Sequence, residues 1–291
     1  MNVLFVVTRD EAELLRLNLA HHLAWGFDHV AIADNESTDA TREVLNSFGD
    51  AVAAETIADP NDRFAALRRL VHRIEARHGQ AQWVAVSDTD EFWWDAGGTL
   101  RDLMSRVPAN AIGLYSDQKL FLPTALDPSE GPPYVRRTWR TTGPSSPLHT
   151  SYRSGKSIYR ASWVREHELT GPHWCVAVRG AAYRPPRALV HHYMINDENN
   201  FVQKVEALSR WGPQVRSSAS EAVGAASGTT SQVRFRDFKT SWWRIYESGG
   251  ERALREYFRT SYVISAAALP GHVERGELVQ DIAFADWMRA R

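Results

Sequence analysis

Trp83-Val84-Ala85-Val86-Ser87-Asp88-Thr89-Asp90-Glu91-Phe92-Trp93-Trp94 decides how the chain is read. Its first half is a short apolar run, which suits a buried strand at the centre of a parallel sheet. Its second half puts Asp88 and Asp90 at the carboxyl end of that strand, where open α/β sheets bind their ligands. Strand alternation sends the two carboxylates to one side and Thr89 to the other. Like charges this close are costly without a cation beside them. A hard divalent ion that also holds phosphate oxygens resolves the conflict, so a metal–diphosphate site is the expectation. The competing reading is a solvated turn or a helix cap.

Upstream of this stretch, strands and helices alternate. Val3 to Val7 reads as a strand, and Asp10 as the cap of a helix with Ala12, Leu15, Leu19 and Leu23 on its buried stripe, ended by Gly26. Val30 to Ala33 is a second strand, followed by a helix capped by Ser37 or Thr38, with Val44, Leu45 and Phe48 inward. A third strand covers Ala51 to Thr56. Asp59-Pro60-Asn61-Asp62 opens a helix carrying Phe64, Leu67, Val71 and Ile74, closed by Gly79. The order β-α-β-α-β-α-β predicts a mainly parallel sheet with right-handed crossovers.

Beyond Trp94 a capped helix is expected over Thr99 to Val107, and strands over Ala111 to Ser116, Ser157 to Arg160 and Ala188 to Tyr193. Pro123 to Pro147 is a long Pro-, Gly-, Ser- and Thr-rich loop, of a length that is usually functional or disordered. Its Tyr134, Arg136, Arg137, Trp139 and Arg140 suit an acidic or glycosylated partner, and a disordered surface insertion is the alternative. Glu198 to Trp211 is a helix with Phe201, Val205 and Leu208 inward. The expected division is a core over 1–195 and a helical C-terminal extension over 196–291, with a mobile segment near 214–231.

With 291 residues the chain can bury a large core. A formal net charge of −1 provides no global attraction to nucleic acid, and no nucleic-acid partner is expected. The single cysteine, Cys175, excludes an intrachain disulfide, fits a reducing compartment, and reads as a small hydrophobe. No signal peptide is read at the start, and no apolar run approaches the ~18 residues of a membrane span. The expectation is a cytoplasmic protein, with peripheral membrane contact still open.

Four motifs in order, Val7-Thr8-Arg9-Asp10-Glu11, Gly26-Phe27-Asp28-His29-Val30, Asp34-Asn35-Glu36-Ser37-Thr38-Asp39 and Asp88-Thr89-Asp90-Glu91-Phe92, resemble the GT-A nucleotide-sugar glycosyltransferases, in their family-2-like branch. Gly155-Lys156-Ser157-Ile158-Tyr159-Arg160, His173, and His192-Tyr193 followed by Phe201 and Lys204 look like later motifs of the same branch. The resemblance implies a Rossmann-like sheet with helices on both faces and a donor site on its carboxyl edge. It implies transfer of a sugar from a nucleotide-diphosphate donor, of the UDP-sugar class, to an acceptor hydroxyl with inversion. The acceptor would be a glycan, a lipid-linked group or a small molecule, as in polysaccharide biosynthesis.

By the same resemblance, Thr8, Arg9 and Glu11 with Asp34 and Asn35 hold the nucleotide, Asp90 ligates Mn²⁺ or Mg²⁺, and Asp88 meets the ribose or reaches the ion through water. His192 would be the third metal ligand, since a neutral imidazole on a returning strand can complete such a shell. Alternation lets only one of His191 and His192 face the ion. Taken as residues alone, Asp34 and Asn35 serve equally as turn chemistry, and Arg9 as a salt bridge. Glu91 is read as orienting the loop or opening the next turn, and Phe92, Trp93 and Trp94 as stacking or core. Lys156 and Lys204 could neutralise phosphate or cover solvated faces, and His173 could line the sugar pocket or hold a turn. The catalytic base is sought among Asp117, Glu166 and Glu168, with Asp117 preferred because it follows a strand. A nucleotidyltransferase uses a similar carboxylate pair, but Thr8-Arg9-Asp10-Glu11 lacks the glycines of its phosphate loop. A non-catalytic sugar-binding protein would be expected to lose Asp88 or Asp90.

Overall fold

The computed structural model describes residues 1–143, 146, 148, 155–167, 182–210 and 230–290. Glu168, His173, Cys175 and residues 214–229 lie outside them. The fold class is α/β, as expected. Strands β1 (Asn2–Thr8), β2 (His29–Asp34), β3 (Val52–Thr56) and β4 (Trp83–Asp88) run parallel in the order β3-β2-β1-β4. They are joined by α1 (Ala12–Trp25), α2 (Thr41–Ser47) and α3 (Arg63–His78). Past β4 the sheet becomes mixed. The chain makes β5 (Glu91–Asp95), α4 (Leu100–Ser105) and β6 (Gly113–Leu120), and later β8 (Gly155–Arg160), α6 (Ala161–Glu166), β9 (Ala182–Tyr183) and β10 (Ala188–His192). Antiparallel β8 lies between β4 and β6, β10 follows β6, and β5 is the last strand, antiparallel to β10.

The parallel half forms because both faces of its strands are apolar. Val3 and Phe5 meet the α3 face, and Leu4 and Val6 are fully buried on the other. On α3, Leu67, Leu70, Val71 and Ile74 repeat at helical spacing and pack on Ala31, Ala33, Val84 and Val86. Each such side chain contributes about 1.5–3 kcal/mol by leaving water. Gly79, at φ +91°, ends the helix in a conformation that a side chain would oppose.

Helix α1 is built differently, because the face it turns inward is polar. Asn18, His21 and His22 are at most 2% exposed. Asn18 Nδ2 donates to the carbonyls of Thr89 and Glu91, at 2.9 and 2.8 Å. His21 Nε2 donates to Trp93 O at 2.7 Å, and the Trp93 amide donates to His22 Nε2 at 3.1 Å. Spaced i, i+3 and i+4, these side chains share one face of the helix. They supply the outer edge of β5 with the partners that another strand would otherwise provide.

Two expected caps are corrected. Asp10 does not cap α1; at φ +50° it accepts from the Thr38 amide at 2.6 Å, while the Ala12 amide donates to Asp39 Oδ2. Neither Ser37 nor Thr38 caps α2: Ser37 Oγ accepts from the Asp10 amide, and Asp39 Oδ1 takes the Thr41 amide. The loops after β1 and β2 lie side by side, so their capping groups exchange partners.

The chain separates into two compact units, 1–118 with 154–192 and 119–153 with 193–291. The expected boundary near 195 falls close to the end of β10, while 119–153 groups with the C-terminal residues. The second unit holds α5 (Pro133–Arg136), β7 (Trp139–Thr141), α7 (Glu198–Arg210), α8 (Thr230–Tyr257), α9 (Leu269–Glu274), β11 (Leu278–Gln280) and α10 (Ala283–Arg289). Strands β7 and β11 pair antiparallel. Phe201, Val205, Trp242, Leu254 and Phe258 form one of its cores, and Leu120, Leu122, Leu269 and Leu278 another. The loop arginines expected to meet an acceptor are turned to partners within this unit. Arg137 pairs with Asp127 at 2.9 Å with both side chains 6% exposed, Arg136 and Arg137 donate to Asn196 O, and Arg140 pairs with Asp281 at 2.6 Å. Among the described residues, no helix is long and apolar enough to cross a membrane.

His22 carries a pH prediction. Its Nε2 accepts from Trp93, and its Nδ1 donates toward Asn18 O and Oδ1, so the native ring is neutral. Burial first, and then the neighbouring His21, hold its pKa well below the usual value against a raising contact from the Asn18 backbone. Above about pH 6.5 both folded and unfolded chains keep this ring neutral. As pH falls below that, only the unfolded chain takes up the proton, so stability drops by about 1.4 kcal/mol per pH unit until the folded pKa is reached. Urea unfolding at pH 7.5, 6.5 and 5.5 measures the slope. His22→Gln, which cannot titrate, is expected to flatten it; an unchanged slope would place the pH dependence elsewhere.

Candidate functional site

The turn that joins β4 to β5 gathers the charged groups. Asp88 ends β4, Thr89 is buried with its hydroxyl donating to Val7 O at 3.1 Å, and Asp90 and Glu91 are both buried. Asp88 shares the side of the buried Val84 and Val86 but lies past them at the end of β4, and its side chain is 43% exposed. Antiparallel pairing sets His192 directly opposite Glu91 and His191 opposite Phe92. His192 Nε2 comes within 3.4 Å of Asp90 Oδ1. One ligand atom from each of Asp90, Glu91 and His192 lies within 4.8 Å of the others. His191 is fully buried and meets the Trp94 ring edge-on, at 5.5 Å between centroids.

Beneath this cluster sits a charge that the sequence reading turned outward. Lys156, on β8, is fully buried, and its ammonium lies 2.9 Å from both Asp88 Oδ2 and Glu91 Oε2. Burial alone would lower its pKa, but Asp88 and Glu91 outweigh it and hold the ammonium well above its usual range. Glu91 is raised, chiefly by burial, against the attraction of Lys156. Its oxygens also accept from Gln118 Nε2 at 2.5 Å, the Asp88 amide at 2.8 Å and Ser87 Oγ at 3.2 Å. Glu91 is therefore an anchor inside the turn, Asp88 stands exposed at its rim, and Asp90 and His192 meet beside it with little exposed surface.

The rest of the carboxyl edge is rigid. Thr8, 2% exposed at the end of β1, has a buried hydroxyl without a hydrogen-bond partner among the described residues. Arg9 Nη1 donates to Asn35 Oδ1 at 2.7 Å, and Asn35 Nδ2 reaches Ile57 O. Asp34 Oδ1 accepts from the Ser37 amide. Asn35 thus does the turn chemistry that its residue type allows, as does one oxygen of Asp34. Glu11 is the N-terminal boundary residue of α1.

The base candidates separate. Asp117 pairs with Gly155 on β8 and is half-buried. By alternation it shares the side of Tyr115, which packs with Val84 and Val86, and so faces as Asp88 does, two strands away, or about 10 Å. Glu166 ends α6, which follows the β8 end paired to Trp83; it stands exposed at the opposite edge from Asp88. Lys204 lies on α7 of the second unit.

Three residues at this edge were not anticipated. Asn18 and Gln118 reach the turn across long sequence separations. Arg63, the first residue of α3, is half-buried; burial lowers its pKa while nearby Asp88 raises it. Its Nε has no hydrogen-bond partner among the described residues. A helix that starts at the carboxyl edge of a parallel sheet puts its first residue on the ligand side, a signal that could have found Arg63.

Neither a protein-family model nor a curated protein matches the chain. Solved structures do. TarS 1-349 of S. aureus in complex with UDP is 13% identical, over 94% of this chain and 78% of that one, with a TM-score of 0.38. A 4-diphosphocytidyl-2C-methyl-D-erythritol synthase is 12% identical over 66% of this chain and 88% of its own, TM-score 0.38. A nucleotidyl transferase from Methanothermobacter (Mth528) is 11% identical over 73% and 99%, TM-score 0.33. Identities this low and TM-scores below 0.5 leave the reading of function to the site's own residues.

Proposed function

We propose that this protein is a metal-dependent glycosyltransferase that moves a sugar from a nucleoside-diphosphate donor, of the UDP-sugar class, to an acceptor hydroxyl. The observation that carries this reading is the approach of His192 to Asp90 beside the Asp88 turn, on the carboxyl edge of the parallel strands. Two ligands about 2.0–2.6 Å from one ion can be at most about 5 Å apart, so Asp90 Oδ1 and His192 Nε2, 3.4 Å from each other, fit a single cation. Carboxylate with imidazole suits Mn²⁺ better than Mg²⁺, which prefers oxygen alone. Asp90 and His192 would hold the ion, which supplies charge to stabilise the departing diphosphate.

The chain's own groups do the rest. The Thr8 hydroxyl and the remaining Asp34 oxygen suit a base and a ribose, which need an acceptor and donors at fixed positions. Arg9 and Arg63 are the cations on the phosphate side. In the transfer the acceptor oxygen bonds to the anomeric carbon as the carbon–oxygen bond to diphosphate breaks, and a carboxylate takes the acceptor proton. Asp117, half-buried and on the same side of the sheet as Asp88, is our candidate for that carboxylate.

Calorimetry is expected to show UDP binding at least about tenfold tighter with Mn²⁺ than without it, the scale on which groups around a site tune metal affinity. Equal affinities would remove the metal from the reading. Asp90→Ala is expected to cut release of nucleoside diphosphate from sugar nucleotides by about 10² or more while the melting temperature holds. A sharp drop in melting temperature would make Asp90 structural instead.

The two histidines are expected to differ in kind. His192→Ala raises the Mn²⁺ needed for half-maximal activity about tenfold or more, whereas His191→Ala mainly lowers thermal stability, because it deletes a buried ring against Trp94. Titrating activity against Mn²⁺ for both variants checks this. A larger metal effect at His191 would contradict the observed register.

A further inference from the structure

We propose that Lys156 is a built-in counter-cation that withholds the Asp88 carboxylate from the divalent ion, so that the protein itself offers the ion only Asp90 and His192. This rests on the metal-site reading above and concerns what sets the strength of that site.

The geometry is specific. An ammonium with no exposed surface lies 2.9 Å from one carboxylate on each side, Asp88 at the rim and Glu91 within. Glu91 is further fixed by Gln118, Ser87 and the Asp88 amide. A buried lysine is rare unless paired, and here the pairing holds two of the three carboxylates of the turn. Asp88, Asp90 and Glu91 can stand together before any ion arrives because Lys156 already neutralises part of their repulsion. The same contact sets a limit on the site: an ion that recruited Asp88 would have to strip it from Lys156 and leave a buried ammonium short of a partner.

Lys156 is then a positioning residue that keeps intrinsic metal affinity low, and it acts through Asp88. Its removal has an outcome that loss of a merely structural group would not produce. The fold is weakened, yet the metal binds better, since Asp88 becomes available as a further anionic ligand.

The experiment measures Mn²⁺ binding by calorimetry and by loss of the free-ion paramagnetic resonance signal. Wild type, Lys156→Met, and Lys156→Met with Glu91→Gln are compared, each with and without saturating UDP. The double variant removes the buried pair as a unit and guards against an unfolded single variant. Without nucleotide, both variants are expected to bind Mn²⁺ about tenfold or more tighter than wild type, and Mn²⁺ is expected to raise their melting temperatures more. Adding Asp88→Asn to Lys156→Met is expected to remove the gain. A variant that folds only with Mn²⁺ supports the proposal as well. Affinities at or below wild type in both variants, a gain that survives Asp88→Asn, or variants unfolded even with Mn²⁺ overturn it. If wild type binds no Mn²⁺ even with UDP, the metal reading fails and the inference with it. If wild type binds Mn²⁺ with UDP and the variants show no gain, only the role of Lys156 is lost.

Discussion

An ammonium buried between two carboxylates is the constraint on which this site depends. The Asp88–Glu91 turn carries three acidic side chains in four residues, at the rim of a sheet whose interior is apolar. Left alone, they would repel or take up protons. Lys156 enters from the neighbouring antiparallel strand β8, which lies beside β4 inside the sheet rather than at an edge. Breaking a buried pair by removing one partner typically costs about 3–5 kcal/mol, so the arrangement binds turn, strand order and charge into one unit.

A second support comes from the other side of the turn. Strand β5 ends the sheet, and an open edge there would expose carbonyls and amides next to the Asp88–Glu91 turn. The polar face of α1 closes it. Asn18 holds Thr89 and Glu91, and His21 with His22 holds Trp93. These bonds fix β5, and β5 in turn fixes the register that sets His192 opposite Glu91 and leaves His191 in the core. The approach of His192 to Asp90 is thus secured by a helix some seventy residues earlier in the chain, as the 71-residue span from Asn18 to Thr89 indicates.

The parallel half of the fold was legible because its signals are local: apolar runs of strand length, helical stripes and stops such as Gly79. The alternation that separates His191 from His192 was legible for the same reason. Less accessible was anything that depends on which strand lies beside which. Lys156 was read as meeting phosphate or covering a solvated face, and the pairing of β8 with β4 sets it instead between Asp88 and Glu91. The arginines and aromatics of the 123–147 loop suggested an outward partner by charge and stacking; Asp127, Asn196 and Asp281, which hold the arginines, are near in space but mostly far in sequence. The caps were misassigned because Asp10 and Asp39 serve each other's loops.

That exchange of caps ties the two loops at the carboxyl edge of β1 and β2 to each other. Among the described residues, Asp10 and Glu36 are the non-glycine residues at positive φ, one in each loop at the carboxyl edge of β1 and β2. A left-handed residue with a side chain costs about 1–2 kcal/mol, and it persists only where its surroundings over-determine it. Here they do: the Asp10 carboxylate takes the Thr38 amide and hydroxyl, its amide goes to Ser37, and Asn35 is tied to Thr8, Arg9 and Ile57. With these groups engaged on one another, the loops form a stiff wall. The Thr8 hydroxyl, buried at the foot of that wall, has no hydrogen-bond partner among the described residues, so a group that supplied one there would relieve it. A wall whose groups are already engaged on one another has little ordering entropy left to lose when something meets it.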